Sequence, residues 1–328
     1  MVPPESAQQF LDRQITRLRA LPRRRRIVFG EGGDTRIVEA AVRLKREGLV
    51  EPLLIGGSGD TGGVETIDPA GHPRLREYAR LYHERRRAKG VTEAEAQRAA
   101  LNPLVFAGLM VASGDADGLV GGAASTTAET FRAAISTVGV KQGVKTVSGV
   151  MIICVHDQSF GASGVLAMAD PALIVDPTAS QLADMAIATA ETVRTVMGVE
   201  PAVALLSFST KGSAKHPFVE KVREARRIVE AREPGLHVDG ELQADAALVE
   251  AVGRSKAPGS TVAGRANTLI FPDLASANIG VKLVERLGGS VNTGPFFQGL
   301  AKPANDLPRG CLSDEIYRVA IVTALQAG

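Results

Sequence analysis

The chain is poor in cysteine and has no long apolar run, and both shortages limit what the protein can be. Its two cysteines, Cys154 and Cys311, are too few for the disulfide framework that holds small secreted domains together. No stretch of about 20 apolar residues is present to cross a bilayer, and no apolar region of signal-peptide length opens the chain. We therefore expect a cytoplasmic protein that does not enter a membrane.

The chain also lacks an excess of charge of either sign. Its 38 basic and 36 acidic residues leave a formal net charge of +2. This balance argues against electrostatic attraction of nucleic acid to the molecule as a whole. Any anion binding must therefore depend on local groups of cations and backbone N–H donors.

Short apolar runs alternate with longer amphipathic ones, which is the pattern of an α/β protein with mainly parallel sheets. A length of 328 residues suits two medium domains. Seven apolar runs are predicted to be strands, at 27–29, 52–55, 118–120, 147–155, 173–175, 203–206 and 268–271. A helix is predicted between Asp176 and Gly198, with Asp176 as its N-cap and Gly198 at its end.

The most informative stretch is GPFFQGLAKPANDLPRGCLSDE, residues 294–315. Three prolines and three glycines interrupt regular structure there, which predicts a loop at 294–311. From Leu312 onward apolar residues recur at helical spacing. Ser313 is the expected N-cap of this helix, with Asp314 and Glu315 in its first turn.

Residues 302–310, KPANDLPRG, resemble the KPxNDLSRG signature of the phosphate acetyltransferases, in which an acidic residue follows at the start of the last helix. Other stretches along most of the chain are similar to the same family. They are GEGGDTR at 30–36, GDADGLVGGA at 114–123, TAETFR at 127–132, LLSFSTKGSAK at 205–215, DGELQADAA at 239–247 and FPDLASANIG at 271–280. One position departs from the signature, because Pro308 stands where the family has serine.

The resemblance implies an acyltransferase that exchanges an acetyl group between acetyl phosphate and coenzyme A by direct attack of the thiolate. Coenzyme A is then a substrate, and no tightly bound cofactor, metal ion or covalent intermediate is required. The resemblance also implies a homodimer and two α/β domains facing a cleft, similar to the isocitrate/isopropylmalate dehydrogenase-like fold. We predict one domain from 1–145 plus 299–328 and a second from 146–298, with crossings at 139–149 and in the loop at 294–311.

Acyl transfer from a phosphate to a thiol needs a base and fixed cations. A thiol is mostly protonated at neutral pH, so a base assists its ionisation, and cations must stabilise phosphate and the developing oxyanion. The resemblance implies that Arg309 is the catalytic cation, and its planar guanidinium suits two oxygens. An ion pair with Asp306 or Asp314 would instead explain this arginine without chemistry.

The register of the family's aspartate implies that Glu315 is the base, with Asp314 as the neighbouring candidate. Both residues are also explained as favourable charges at a helix N-terminus, so a structural role stays open.

Phosphate-bearing substrates call for further cations and donors. Arg132 matches a substrate-contacting arginine of the family, and Arg86 fits a second by its spacing, although neighbouring arginines make its register ambiguous. Asn305 lies within the signature itself. A turn between a predicted strand and a helix expected from about His216 offers backbone N–H groups to an anion. Its candidate substrate-binding residues are Ser209, Thr210, Lys211, Gly212 and Ser213.

Two alternatives to an acetyltransferase stay open. Pro308 removes a hydroxyl and constrains the loop, which is compatible with a transferase for a longer acyl group or with a catalytically weakened structural or regulatory homologue. A nicotinamide-dependent dehydrogenase of related fold is disfavoured, because the chain has no GxGxxG fingerprint.

Overall fold

The computed structural model describes residues 2–57 and 59–328, which form α/β structure. The strands of that part are β1 (Arg26–Phe29), β2 (Glu51–Ile55), β3 (Glu65–Ile67), β4 (Gly118–Gly121), β5 (Ser148–Cys154), β6 (Val165–Ala169), β7 (Ala202–Leu206), β8 (His237–Leu242), β9 (Thr268–Ile270), β10 (Val291–Gln298) and β11 (Ala304–Asp306). The helices are α1 (Glu5–Arg19), α2 (Thr35–Arg46), α3 (Leu75–Arg86), α4 (Glu93–Ala100), α5 (Pro103–Ser113), α6 (Thr127–Thr137), α7 (Ala179–Thr192), α8 (Pro217–Arg232), α9 (Ala244–Leu248), α10 (Glu250–Lys256), α11 (Leu274–Gly288) and α12 (Ser313–Gln326). None of the described helices is both long and apolar enough to span a membrane.

Two compact units divide the chain, and we name them by their positions along it. The central unit contains Val144–Gly299 together with the residues up to Asp12. The terminal unit contains Arg13–Gly143 and Leu300–Gly328. The grouping therefore places the N-terminal residues with the central unit, whereas the predicted boundaries placed them with the C-terminus.

The terminal unit is built on a five-stranded parallel sheet of order β11-β4-β1-β2-β3. Ile27 of β1 lies opposite Gly118 of β4, and Leu119 of β4 lies opposite Ala304 of β11. The strands are apolar on both faces because helices cover both, as parallel sheets require. The C-terminal helix α12 packs on α2 and β4, and α5 packs on α6 and β1.

The central unit is built on a six-stranded mixed sheet of order β10-β5-β6-β9-β7-β8. The pairs β10–β5 and β5–β6 are antiparallel, and the other pairs are parallel. With the all-parallel sheet of the terminal unit, this confirms the predicted α/β class with mainly parallel sheets.

Six of the seven predicted strands are present as β1, β2, β4, β5, β7 and β9. The strand predicted at 173–175 is wrong. The buried carboxylate of Asp170 accepts backbone N–H bonds from Ala172 at 2.8 Å and from Leu173 and Ile174 at 3.0 Å. These bonds replace the pairing that a strand would need, so the segment forms a turn.

The loop predicted at 294–311 is also partly wrong, since it contains the end of β10 and all of β11. The glycine and proline that suggested a loop, Gly294 and Pro295, lie where the register of β10 against β5 shifts between Thr293 and Phe296. A bulge tolerates both residues within a strand.

The predicted end of the helix at Gly198 is confirmed, with φ at 71°. Its predicted N-cap is wrong, because α7 begins after Thr178, which forms a capping box with Gln181. Asp176 instead pairs with Lys221 at 2.8 Å.

Candidate functional site

Three loops of the terminal unit leave the same edge of its sheet. The strands β1, β4 and β11 are parallel neighbours, so the loops that follow them begin side by side. They are residues 30–34 after β1, 122–126 after β4 and 307–312 after β11. This carboxyl edge is where open α/β sheets place their ligands, and it carries Arg309.

Asp306 ends β11 as a fully buried carboxylate. Its Oδ2 accepts a hydrogen bond from the Thr127 hydroxyl at 2.6 Å, whereas its Oδ1 is buried without a hydrogen-bond partner. A Cβ atom at Gly122 would lie 2.3 Å from Oδ1, so only glycine, here at φ +109°, lets the two loops approach. Burial raises the pKa of Asp306 to about 6, while the bond from Thr127 opposes this effect.

Glu31, in the loop after β1, organises the loop after β4. One carboxylate oxygen accepts the N–H of Gly122 at 2.8 Å. The other accepts the N–H of Ala124 at 3.1 Å and the hydroxyl of Ser125 at 2.7 Å. The loop that leads into α6 is therefore fixed by a carboxylate from the loop after the neighbouring strand.

Arg309 lies in a tight turn with its side chain exposed. The N–H of Cys311 donates to the carbonyl of Pro308 at 2.9 Å, which closes the turn around Arg309. Hydrogen bonds from Thr126 lower the pKa of Glu129, and the charges of Arg132 and Arg309 lower it further. Both arginines thus act on one carboxylate, so the structure brings two of the predicted cations into one neighbourhood.

Arg86 lies at the C-terminal end of α3 and is partly buried. Its Nε is buried and has no hydrogen-bond partner. The adjacent Arg85 donates to the carbonyl of Val138 at 3.0 Å, which ties α3 to the end of α6. Arg85 is therefore committed to the backbone, and Arg86 has an unused donor.

The acidic residues at the start of α12 both have structural partners. The predicted N-cap at Ser313 is wrong, because Leu312 is the N-cap residue and Ser313 is the first residue of the helix. The Leu312 N–H donates to the Glu315 carboxylate at 2.7 Å, which makes Glu315 the third residue of the helix and Leu312 its N-cap. Asp314 is exposed and pairs with Arg43 at 2.8 Å.

Asn305 lies in β11 and is fully buried. Its side-chain amide donates to Thr323 at 2.9 Å and to Gln326 at 2.7 Å, both in α12. These bonds hold the last helix against the strand that leads to Arg309.

The predicted anion-binding turn lies in the central unit and surrounds a carboxylate of the chain itself. Glu241, which is 2% exposed, accepts the Ser209 hydroxyl at 2.9 Å, the Gly212 N–H at 2.8 Å and Nε of Arg223 at 2.9 Å. Burial raises the pKa of Glu241, but the bonds from Arg223 and Gly212 outweigh it and hold the pKa below its ordinary value.

The remaining polar groups of this turn also bond within the unit. The Ser213 hydroxyl accepts the N–H of Thr210 at 3.1 Å and lies 3.2 Å from the Ser209 hydroxyl. Lys211, at φ +48°, pairs with Asp239. The following helix begins at Pro217 with His216 as its N-cap, which confirms its predicted start.

Three residues that form hydrogen bonds within or between the loops around Arg309 were missed as individual candidates: Glu31, Arg36, which donates to the Arg309 carbonyl, and Asp306. All three lie in stretches that carry the family resemblance, within GEGGDTR and KPANDLPRG. The available signal was their position, because Glu31 and Arg36 follow the strand predicted at 27–29 and Asp306 lies within the signature itself. Among the described residues, no three His, Cys, Asp or Glu side chains are grouped so that they could hold a metal ion.

Comparisons with known proteins agree over nearly the whole chain. Residues 10–324 match the family model described as phosphate acetyl/butaryl transferase. A phosphate acetyltransferase of Paracoccus denitrificans is 45% identical over 316 residues, covering 96% of this chain and 98% of that protein. One from Clostridium acetobutylicum is 42% identical over 315 residues, covering 93% and 95%. A crystal structure of a phosphotransacetylase from Streptococcus pyogenes is 40% identical, covers 98% of this chain and 99% of that one, and superposes with a TM-score of 0.91.

Proposed function

Because the chain belongs to the phosphate acetyl/butaryl transferase family, we propose that it exchanges an acetyl group between acetyl phosphate and coenzyme A. The reaction is acetyl-CoA + phosphate = CoA + acetyl phosphate. The observation that carries the proposal is the similarity, over almost the full length of both chains, to proteins named phosphate acetyltransferase.

The proposed chemistry is one direct transfer. The thiolate of coenzyme A attacks the carbonyl carbon of acetyl phosphate, a carbon–sulfur bond forms, and the bond from that carbon to the phosphate oxygen breaks. Negative charge develops on the carbonyl oxygen and leaves with phosphate, so an exposed cation beside both is the main requirement. Arg309 is suited to this role, because its guanidinium is exposed and forms no ion pair with any of the described residues.

The thiol proton needs an acceptor, and we assign it to Glu315 rather than to Asp314. Asp314 is held by the Arg43 guanidinium. One carboxylate oxygen of Glu315 accepts the Leu312 N–H, and the other oxygen is available to accept a proton. The first oxygen fixes the side chain at the start of α12, six residues beyond Arg309, and the second accepts the proton.

Arg132 and Arg86 are proposed to bind the phosphate groups of the substrates. The effects of Arg132 and Arg309 on Glu129 support a shared anion site for these two arginines. The buried Nε of Arg86, which has no hydrogen-bond partner, is less direct support for a phosphate-binding role of that residue. For Asn305 we propose a substrate-binding role exerted through the placement of β11, because its amide is spent on α12.

The turn formed by Ser209, Thr210, Lys211, Gly212 and Ser213 stays in the proposal as a second substrate-binding element, in the central unit. Its N–H and hydroxyl donors already meet internal acceptors, so its contribution must come from surfaces that those bonds leave open. We further propose that the two units are the two domains, and that the protein works as a cytoplasmic homodimer, as the family resemblance implies.

The alternative is preference for a longer acyl group, or weak catalysis, because Pro308 replaces the signature serine. The Pro308 carbonyl closes the Arg309 turn, and its side chain is exposed. The turn around Arg309 is thus formed with proline present, which favours an active enzyme.

Thioester formation from coenzyme A and a series of acyl phosphates tests this proposal. We expect the purified chain to show its highest kcat/KM with acetyl phosphate, and lower values with propionyl and butyryl phosphate. A maximum at butyryl phosphate would assign the longer acyl group. No thioester with any of the three would refute the transferase assignment.

A further inference from the structure

Arg36 is unusual because every hydrogen-bond donor of its side chain meets a protein acceptor. Nε donates to Asp34 Oδ1 at 3.0 Å, and Nη2 donates to Asp34 Oδ2 at 2.7 Å. Nη2 also donates to the carbonyl of Ala123 at 2.8 Å. Nη1 donates to the carbonyls of Arg309 and Cys311, both at 2.9 Å. A guanidinium has five N–H donors, and all five are used here.

The acceptors come from three loops of the terminal unit. Asp34 precedes α2 and also caps it, accepting the Arg36 N–H at 2.9 Å. Ala123 belongs to the loop after β4. Arg309 and Cys311 belong to the turn after β11. One side chain therefore joins the three loops that leave the carboxyl edge of the sheet, and we call these five hydrogen bonds the Arg36 clamp.

The clamp bears directly on the backbone of the proposed catalytic arginine. It binds the carbonyl of Arg309 itself and the carbonyl two residues later, so the peptide groups on the C-terminal side of Arg309 are fixed to α2. Hydrogen bonds from a charged donor are about twice as strong as neutral ones, and the Asp34 carboxylate holds that donor in orientation. The same bonds from Arg36 keep the pKa of Asp34 below its ordinary value, so the pair stays ionised at neutral pH.

We propose that Arg36 is a positioning residue for Arg309: it acts on the reaction through the backbone of the Arg309 turn and does not contact the substrate. The inference rests on the proposed role of Arg309. It excludes the simpler interpretation, in which another arginine near the site binds phosphate, because Arg36 has no donor left for a ligand. Its substitution should reduce turnover without weakening substrate binding.

Arginine is required here because of its shape. Lysine at this position would have a single ammonium group with three donors. That group cannot form two parallel hydrogen bonds with Asp34 and also bond the carbonyls of the other two loops. A displacement of about 1 Å in a catalytic group is enough to cost about 10²-fold in rate. We therefore expect Arg36→Lys to lower kcat about 10-fold and Arg36→Gln about 10²-fold, with the KM values for acetyl phosphate and coenzyme A changed by less than about 3-fold.

The test is a double-mutant cycle with a matched control. In an Arg309→Ala background, Arg36→Gln should lower kcat by less than about 3-fold, because two residues that act as one unit are not additive. Arg23→Gln is the control. Arg23, in the same unit, also donates two hydrogen bonds to an aspartate, Asp117, at 2.8 and 2.6 Å. Asp117 also accepts the N–H of Arg26, the first residue of β1, so this pair lies at the end of β1 opposite to the Arg309 region. It should leave kcat unchanged in either background.

Amide hydrogen exchange gives a readout that does not depend on activity. The N–H groups of Cys311 and Leu312 should exchange faster in Arg36→Gln and Arg36→Lys than in the unchanged chain, and at the unchanged rate in Arg23→Gln. If the chain transfers no acyl group at all, the proposed function fails while this measurement still decides whether the clamp exists. If Arg36→Gln does not fold, Arg36→Lys carries the test.

Two results would overturn the inference. A rise of 10-fold or more in the KM for either substrate with kcat retained would make Arg36 a substrate ligand. Equal losses of kcat from Arg36→Gln with and without Arg309 would show that it does not act through that residue.

Discussion

The turn after β11 and the turn after β7 look alike in sequence, but they use their polar groups in opposite ways. Both follow a parallel strand, contain glycine and a cation, and precede a helix. In the terminal unit the backbone carbonyls around Arg309 are bound by Arg36, and the Arg309 side chain is left exposed. In the central unit the donors around Lys211 converge on the internal carboxylate of Glu241.

We infer from this difference a criterion for separating a loop whose donors can bind an anion from a turn whose donors are already used. Glycine and a cation occur in both turns, so these residues alone do not distinguish the two. The deciding feature is whether an internal carboxylate already meets those donors. By this criterion we expect substitutions in the first turn to affect turnover, and substitutions around Glu241 to affect mainly stability.

The largest effect is expected at Arg309. If Arg309 is the cation that stabilises the developing oxyanion, as we propose, Arg309→Ala should lower kcat by about 10²- to 10³-fold. Thermal unfolding should be unchanged, because the side chain is exposed. Arg254→Ala removes another exposed arginine, on α10, and should keep full activity. A folded Arg309→Ala variant that retains kcat would show that Arg309 is not the catalytic cation.

The second effect separates the two acidic residues of α12. In Glu315→Gln the amide oxygen can still accept the Leu312 N–H, so the cap is kept while the proton acceptor is lost, and kcat should fall about 10²-fold. Asp314→Asn should leave kcat unchanged. It should lower the free energy of unfolding by no more than about 1 kcal/mol, because the pair with Arg43 is exposed. An inactive Asp314→Asn with an active Glu315→Gln would exchange the two assignments.

Glu241 should show the reverse pattern. Glu241→Gln keeps the side-chain shape but weakens charged hydrogen bonds to Arg223, Ser209 and Gly212, so we expect a loss of about 2 kcal/mol in the free energy of unfolding. Activity measured well below the unfolding temperature should stay within about 3-fold of the unchanged chain. Denaturant titration with parallel assays makes the comparison. A loss of turnover with unchanged stability would give the turn a direct catalytic part.

The buried carboxylates of the two units should respond to pH in opposite directions. The folded-state pKa of Asp306 is raised to about 6, so its stabilising protonated form is lost as pH rises from about 4 through 6. The pKa of Glu241 is lowered, so its contribution is lost as pH falls through its folded-state value. Asp306→Asn should therefore flatten the decline in unfolding free energy between about pH 4 and 6, by on the order of 2 kcal/mol. An unchanged pH profile would contradict the raised pKa.

The smallest effect is expected at Arg132. If it binds substrate phosphate from the edge of the Arg309 region, Arg132→Ala should raise the KM for acetyl phosphate or coenzyme A about 10-fold, with a smaller change in kcat. Initial-rate kinetics with each substrate varied in turn measures this. An unchanged KM for both would remove Arg132 from the site.

Much of the fold could be predicted because apolar runs decide buried parallel strands. Strands β1, β4 and β7 are of this kind. β8 was missed because it carries two buried acidic residues, Asp239 and Glu241, whose partners lie far along the chain. The false strand at 173–175 has the converse cause, since its backbone bonds go to Asp170.

The candidate site could also be predicted in part from the sequence. Arg309 and Arg132 were proposed from their motifs, and in the structure the charges of both act on Glu129. The clamp was not predictable, because it depends on which carbonyls Arg36 reaches across three loops. The N-cap of α12 was misassigned by one residue because the acceptor is the side chain of Glu315, inside the helix, rather than a serine hydroxyl before it.

The most direct test of the account follows labelled inorganic phosphate into acetyl phosphate. Direct attack by the thiolate of coenzyme A predicts rapid incorporation of label from phosphate when catalytic amounts of coenzyme A are present, and none when coenzyme A is omitted. Incorporation without coenzyme A would reveal an acetyl-enzyme intermediate and contradict the direct transfer at Arg309. No incorporation under either condition would contradict the proposed function itself.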